Sequence, residues 1–329
     1  EEYRIEDITV NISSGRCKSH SSNGKYNLYG STGIIGKTDE ACYEGNLVLV
    51  ARVGANAGFL QIINEPCGIT DNTLIIKPKE VDAQYIYYFL QHFNLNRLIF
   101  GSGQPLITGG MLKKVKVSLG TIQEQNKITR LLSLLDERIA TQSKVIDKLQ
   151  SLIRGIAHKI SKQGKPNIRL SECLECSSTT LQESDVAEVG AYPVYGANGI
   201  VGYLDTYSTT KEAIYIIKDG SGVGSVSYVK GKCSATGTLN ILEAKEGYSL
   251  RYLYFMLKVF NFEPYKTGMA IPHIYFKDYR KAKIYCPNYE LQNKCANLLY
   301  EIEQKATIEQ KILDNLCSQK QYLLRQMFI

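Results

Sequence analysis

Ile128-Thr-Arg-Leu-Leu132-Ser-Leu-Leu135-Asp-Glu-Arg-Ile139 lies near the start of a proline-free run from Gln123 to Ile160. Apolar residues fall at Ile128, Leu132, Leu135, Ile139, Ile146, Leu149, Ile153, Ile156 and Ile160, and Gln142 fills the one remaining slot. The steps alternate four and three, which is the seam of a coiled coil and narrower than the apolar face of an ordinary surface helix. A helix of this length is roughly 55–60 Å long. Its seam needs a partner, and a second run, Glu290–Phe328, repeats the register at Leu299, Ile302, Ala306, Leu313, Leu316, Leu323 and Met327. Glu309 stands where Gln142 does, and Lys320 stands opposite Ile153.

Outward from these helices, the whole chain is written twice. Tyr26-Asn-Leu-Tyr29-Gly30-Ser-Thr-Gly33-Ile34-Ile-Gly36-Lys-Thr-Asp39 recurs 166 residues later as Tyr192-Pro-Val-Tyr195-Gly196-Ala-Asn-Gly199-Ile200-Val-Gly202-Tyr-Leu-Asp205, with seven of 14 positions identical. Gly54 and Gly58 match Gly220 and Gly224, and Cys67 matches Cys233. After small slips the offset becomes 167, where Tyr85–Leu90 meets Tyr252–Leu257, Pro105 meets Pro272, and Gln125-Asn-Lys127 meets Gln292-Asn-Lys294. A unit this long is a tandem duplication, not a solenoid repeat.

The expected organisation is a globular domain over 1–120, a helix over 121–160, a linker over 161–167, a second globular domain over 168–288 and a second helix over 289–329. The linker, Ser161-Lys-Gln-Gly-Lys-Pro166-Asn167, is polar and carries both Gly and Pro. Each globular domain reads as mixed α+β. Leu47–Ala51, Leu74–Lys77, Ala213–Ile217 and Ser225–Lys230 have strand composition, and Val115–Ser118 and Ala282–Cys286 are expected to close the two domains. Tyr85–Phe93 and Leu250–Phe260 have the spacing of short amphipathic helices. Because the linker is short, the second helix is expected to run back antiparallel along the first, which makes the pair a spacer between two end domains.

Composition bounds the function loosely. The 329 residues are 44% hydrophobic and 22% charged, as in an ordinary globular chain with room for two cores. No apolar run approaches the ~20 residues of a membrane span, and no signal-peptide pattern opens the chain, so a cytoplasmic location is expected. Nine cysteines without regular spacing read as reduced thiols, and Cys173-x-x-Cys176 lacks the second pair that a zinc site requires. The net charge of +7 permits nucleic-acid binding without demanding it. The chain has 23 Tyr and no Trp, a composition that suits recognition surfaces and sheet cores alike.

Motifs that suggest catalysis fail on inspection. Gly30 and Gly36 have five residues between them where a phosphate loop needs four, and the second copy places Tyr203 where Lys37 stands. Ile99-Phe-Gly-Ser-Gly103 resembles a methyl-donor loop only faintly, and no adenine-methyltransferase signature accompanies it. Gly220-Ser-Gly-Val-Gly224 has the wrong spacing for a dinucleotide fingerprint. His20, His92, His158 and His273 have no equivalents in the other repeat and no metal-like spacing. The expectation is a chain with no catalytic centre and no metal site, working by binding and assembly.

The repeated stretch at Tyr192–Tyr203, the paired glycines, the Gln123–Ile128 run entering the long helix and the alternation of two diverged domains with two similar helices together resemble the specificity subunits of type I restriction–modification systems. The resemblance covers nearly the full length. It implies two target recognition domains that each read half of a bipartite, asymmetric sequence in double-stranded DNA, separated by a helical spacer. It further implies two methyltransferase subunits that modify adenine N6, and restriction subunits, with S-adenosylmethionine, ATP and magnesium held by those partners and no cofactor in this chain. Expected DNA contacts are Lys25, Tyr29, Lys37, Arg52, Asn56, Ser102 and Gln104 in the first domain. In the second they are Tyr195, Asn198, Tyr203, Lys218, Ser221, Lys266, Thr267 and His273. The competing expectation is a coiled-coil adaptor whose two globular ends bind proteins.

Overall fold

Leu47–Ala51 is buried at all five of its positions, as a strand covered on both faces must be. It is an interior strand of a four-stranded antiparallel sheet, between Thr73–Pro78 and Leu60–Ile63, with Thr9–Ser14 completing the far edge. The structure is a computed structural model in which residues 1–18, 21, 23–99, 104–220, 222–268 and 271–328 are described. Its contacts divide the chain into two units, Glu1–Ser143 with Lys311–Ile329, and Lys144–Gln310.

In the first unit, side-chain alternation gives the sheet two apolar faces. Val48, Val50, Leu74 and Ile76 join the cluster that holds Ile86, Phe89 and Leu90 of the short helix Ala83–Phe93. Asp82 starts that helix by accepting from the Gln84 N–H, and Asn94, in the left-handed region, ends it. Leu47, Leu49 and Ile75 face the other way and cluster with Cys67 and Ile69. Those two belong to a three-stranded sheet of Gly33–Thr38, Tyr26–Gly30 and Cys67–Ile69. The stretch most faithfully repeated in the sequence is therefore a β-hairpin, and its glycines make its turn and its close packing. A Cβ on Gly30 would lie 2.9 Å from Ile35 Cγ2, and Gly33 takes φ +124° at the turn.

The second unit has the same plan. Leu174–Ser177, Leu239–Ala244, Ala213–Ile217 and Val226–Val229 form its larger sheet, and Gly199–Leu204, Tyr192–Gly196 and Ser234–Ala235 its smaller one. Leu250–Lys258 is its short helix. The closing strands are shorter than the sequence suggests. Lys116–Ser118 pairs with Glu2–Arg4, and only Lys283–Ile284 pairs with Ile168–Arg169.

The long helices are Ile122–Ser161 and Tyr289–Met327, and each gives one part to each unit. In the first unit, Ile128 and Leu132 share a core cluster with Leu323, Leu324, Met327 and Phe328. In the second, Ile153, Ile156, Ala157 and Ile160 cluster with Ala296, Leu299 and Ile302. Early residues of one helix thus meet late residues of the other, an antiparallel pairing. Leu132, Ile146, Ile153, Leu299 and Leu316 are buried, and Ile128, Leu135, Ile139, Leu149, Ile156, Ile302, Leu313 and Leu323 are half-buried.

A lysine in an apolar seam needs a partner, and Lys320 has one. Its ammonium lies 2.6 Å from the Asp136 carboxylate, with the lysine side chain only 16% exposed. The Tyr88 hydroxyl donates to the same carboxylate at 2.9 Å, and the Tyr88 ring lies 5.4 Å from the ammonium. The equivalent of Asp136 in the second unit is Glu303, which accepts from Tyr254 at 2.7 Å and pairs with Lys258 at 2.9 Å. Asp136→Ala leaves a largely desolvated ammonium without its counter-charge and is expected to cost about 1–3 kcal/mol. Equilibrium urea unfolding checks this, and Lys320→Met added to that variant is expected to restore most of the loss.

Candidate nucleic-acid interface

Arg52 and Lys218 hold the same repeat position, one residue beyond an interior strand of each larger sheet. A strand end buried on both faces leaves its next residue at the rim, where loops from several strands converge. In the first unit the Arg52 N–H donates to Asn72 O at 2.9 Å, and its carbonyl accepts from Ile107 N at 2.8 Å. Its guanidinium Nη1 reaches Ser14 Oγ at 3.4 Å, and Ser31 Oγ donates to Asn72 O at 3.4 Å. Gly54 N donates to Pro105 O at 3.0 Å. Gln104 Nε2 would lie 3.9 Å from a Cβ built on Gly54. Arg52, Gln104, Asn72, Ser14 and Ser31 thereby gather at one end of the sheet.

Arg52 Nε is buried and has no protein acceptor. A buried donor left without a partner costs roughly 1–3 kcal/mol, and because Nε itself is occluded, an incoming acceptor would meet the accessible part of this half-buried side chain. A guanidinium with donors to spare at a loop rim suits a phosphate oxygen or a guanine edge.

The second unit repeats the geometry with different side chains. Lys218 N donates to Thr238 O at 2.9 Å, Ile274 N to Lys218 O at 2.8 Å and Gly220 N to Pro272 O at 3.0 Å. His273 bridges both Asp219 and Thr267 through its backbone. Lys218, Thr267 and His273 therefore converge as Arg52 and Gln104 do. Lys266 stands next to them, but its ammonium is taken by Glu263 at 2.6 Å. Gly58 and Gly224 hold the turns beside these rims at φ +89°, where a Cβ would press to 3.3 Å on Leu95 and on Phe262 respectively.

The other expected contacts lie elsewhere. Asn56 is exposed in the Gly54–Gly58 turn, where its carbonyl accepts from Phe59 N at 2.9 Å. Lys25 and Lys37 are exposed on the hairpin, Lys25 with its ammonium 5.3 Å from the Tyr26 ring. Asn198 is exposed at the turn of the second hairpin, and Tyr203 is half-buried in a backbone bridge to Ala187. Ser102 and Ser221 lie outside the described residues.

Tyr29 and Tyr195 are half-buried and tied into the fold. Tyr29 packs against the cluster between the two sheets and donates to Glu65 at 2.7 Å, and burial together with that carboxylate pushes its phenol up to about 12. Tyr195 packs edge-on against Tyr215, with ring centroids 5.8 Å apart. Strand alternation turns both rings inward, so they join the hairpin to the larger sheet.

Sequence reading also missed residues. Asn72 and Thr238, 166 residues apart, accept from Arg52 and Lys218, yet neither belongs to a recognisable motif. The second unit holds a cavity of about 700 Å³ lined by Tyr195, Tyr215, Tyr228, Tyr254, Tyr300 and Lys230. Lys230 lies 3.1 Å from the Tyr300 hydroxyl and 3.5 Å from Glu212, and Arg251 stacks on Tyr300 at 4.5 Å. No local pattern announces the group, because its members come from separate segments. Among the described residues, no three or more His, Cys, Asp or Glu side chains are placed to hold a metal ion, and no helix is long and apolar enough to cross a membrane.

Comparison with known proteins adds to this geometry. The profile of the type I restriction modification DNA specificity domain matches residues 1–151 and again 166–317. A putative type I specificity subunit from Mycoplasma genitalium is 26% identical, over 93% of this chain and 87% of its own length. Another, from Mycoplasma pneumoniae, is 24% identical over 93% of this chain and 89% of its own. The crystal structure of a type I restriction–modification S subunit from M. genitalium superposes with a TM-score of 0.75 at 21% identity, covering 100% of this chain and 96% of that one.

Proposed function

The chain belongs to the type I restriction–modification DNA specificity family, and on that premise we propose that each of its units reads one half of a bipartite, asymmetric target in double-stranded DNA. The observation that carries this reading is one loop scaffold written twice with different side chains at its rim. Arg52 is replaced by Lys218, Asn72 by Thr238 and Gln104 by Ile271 at matching positions. Base readout requires that difference, since distinct half-sites present distinct donor and acceptor patterns. Cations at the rim supply sequence-independent attraction to phosphate.

The same duplication supports two copies of one partner. Leu131 and Leu298, 167 residues apart, are 44% and 50% exposed, and Ile122 and Tyr289 are 53% and 54% exposed. Large apolar side chains left exposed at matching places suit two identical protein contacts. We assign them to two methyltransferase subunits, to which restriction subunits would be added. Adenine N6 methylation from S-adenosylmethionine, and any step that uses ATP and magnesium, belongs to those partners. This chain's part is to position the duplex so that a target adenine can be flipped into a partner's pocket.

Co-expression with its methyltransferase in a host without adenine methylation, followed by single-molecule methylome sequencing, tests the reading. The expected result is one interrupted motif methylated once on each strand. Exchanging one unit's globular part for that of a relative is expected to change one half of the motif and leave the other. A contiguous motif, or no motif at all, would refute the proposal.

A further inference from the structure

Three of the nine cysteines meet in the first unit in an arrangement that the reading of DNA does not use. Cys17 follows the edge strand Thr9–Ser14, is 6% exposed, and donates its N–H to Ile69 O at 2.9 Å. Cys42 is exposed, in the loop between the hairpin and Leu47–Ala51. Its neighbour Tyr43 exchanges two backbone hydrogen bonds with Cys67, at 3.0 and 2.9 Å. Both segments are thus pinned to the same short strand, Cys67–Ile69, and their sulfurs lie 3.6 Å apart. One thiol of the pair is open to solvent, and the other is sheltered directly behind it.

We propose that Cys17 and Cys42 form a reversible disulfide site that reacts with small-molecule disulfides and is confined to the first unit. The exposed Cys42 sulfur attacks the small disulfide, forming a mixed disulfide and releasing one small thiol. Cys17 then attacks the Cys42 sulfur, forming the protein S–S bond and releasing the second small thiol. Two protein thiols are oxidised, one small disulfide is reduced to two thiols, and the two protons leave on those products. The sulfurs need to close by only about 1.5 Å to reach the ~2.05 Å of a disulfide, a movement within reach of side-chain rotation and a small loop shift.

Cys67, the third thiol, is fully buried, and burial pushes it up to about 12, so it is a poor competitor as a thiolate. The second unit provides an internal contrast. Cys233 keeps the place of Cys67 and exchanges the same two backbone hydrogen bonds with Thr209. The residue at the place of Cys42 is Ser208, whose N–H donates to Ser234 Oγ at 3.1 Å, and at the place of Cys17, by the same offset, is Glu183. Because Cys17 precedes the hairpin and Cys42 follows it, the bond would close the chain around the hairpin that carries Lys25 and Lys37.

The test uses the reduced, full-length chain with glutathione disulfide as the probe at about pH 9, because the contact with Cys17 raises the Cys42 thiol above its ordinary value and the reactive thiolate fraction grows with pH. Non-reducing peptide mapping is expected to show a Cys17–Cys42 linkage, loss of two of the nine free thiols, and full reversal by dithiothreitol. A Cys67→Ala variant is expected to form the same linkage. A Cys17→Ser variant is expected to stop at a glutathione adduct on Cys42. Wild-type protein that ends with a stable adduct on Cys42, that links Cys42 to Cys67, or that keeps all its thiols overturns the proposal. So does a stoichiometric metal ion that shields the pair in the purified chain. The mapping on wild type needs neither DNA nor a partner subunit, so it stands or falls separately from the proposed DNA-reading role.

Discussion

Leu132→Ala and Leu299→Ala are each expected to cost about 3–4 kcal/mol, within the range of roughly 2–5 kcal/mol for truncating a buried leucine. The two residues are the same repeat position, 167 apart, and both are 0% exposed. Leu132 sits where the first long helix meets Leu324 and Phe328 within the core of the first unit. Leu299 sits among Ile153, Ala157, Tyr252 and Phe255 in the core of the second. Removing three carbons takes away their transfer free energy and leaves a cavity that a rigid, helix-bounded core only partly fills. Leu→Met at either place keeps the volume and is expected to cost below about 1.5 kcal/mol. As the two positions lie in separate clusters, the double variant is expected to lose the sum within about 0.5 kcal/mol. Equilibrium urea unfolding measures all five, and a loss below about 1 kcal/mol for either alanine variant would show that the seam is not a packed core there.

Arg52→Ala is expected to weaken target binding by the assembled complex by about 10- to 100-fold and to lower the magnitude of its salt slope by about one. The warrant is the guanidinium donor at the loop rim, on a half-buried side chain whose hydrogen bond to Ser14 is long at 3.4 Å. Arg52→Lys keeps the charge and loses that donor, so it is expected to recover the salt slope and only part of the affinity. Lys218→Ala is expected to act on the other half-site with a smaller loss, since a lysine offers a point charge and no fork. Fluorescence anisotropy across a salt series on both half-site variants checks this. Unfolding curves for the same proteins should match wild type within about 1 kcal/mol. Unchanged affinity together with an unchanged salt slope would remove Arg52 from the interface.

Membership in a DNA specificity family also weighs against the reading as a protein adaptor with two globular ends. That alternative accounts for the long helices, but it gives no reason for a loop rim whose side chains differ between repeats on an unchanged scaffold.

How much was legible depended on the range of each interaction. The heptad spacing of Ile128, Leu132 and Leu135 names its own buried face, because a helix places residues three and four apart on one side whatever the rest of the chain does. The tandem repeat needed no folding argument either, and with it came the second helix and the expectation that two similar units exist. The interior strand Leu47–Ala51 announced itself by apolar composition alone. The hairpin was visible as a repeated motif, but not as a hairpin, since its glycines and its polar positions also suit a phosphate loop.

Tertiary structure alone decided the rest. Lys320 looked like a fault in the seam until Asp136 and Tyr88 were found beside it, brought there from another helix and another segment of the first unit. Tyr29 and Tyr195 stood out because tyrosine suits recognition, and only the pairing of two sheets showed that their rings also pack against the clusters between those sheets. Arg52, Asn72 and Gln104 come from three loops that meet only because their strands are neighbours in the sheet. Periodicity is a property of one segment and can be read along the chain. Which loops share a rim, and which sulfurs lie within 3.6 Å, depends on non-local strand pairing, and no single stretch of sequence contains that information.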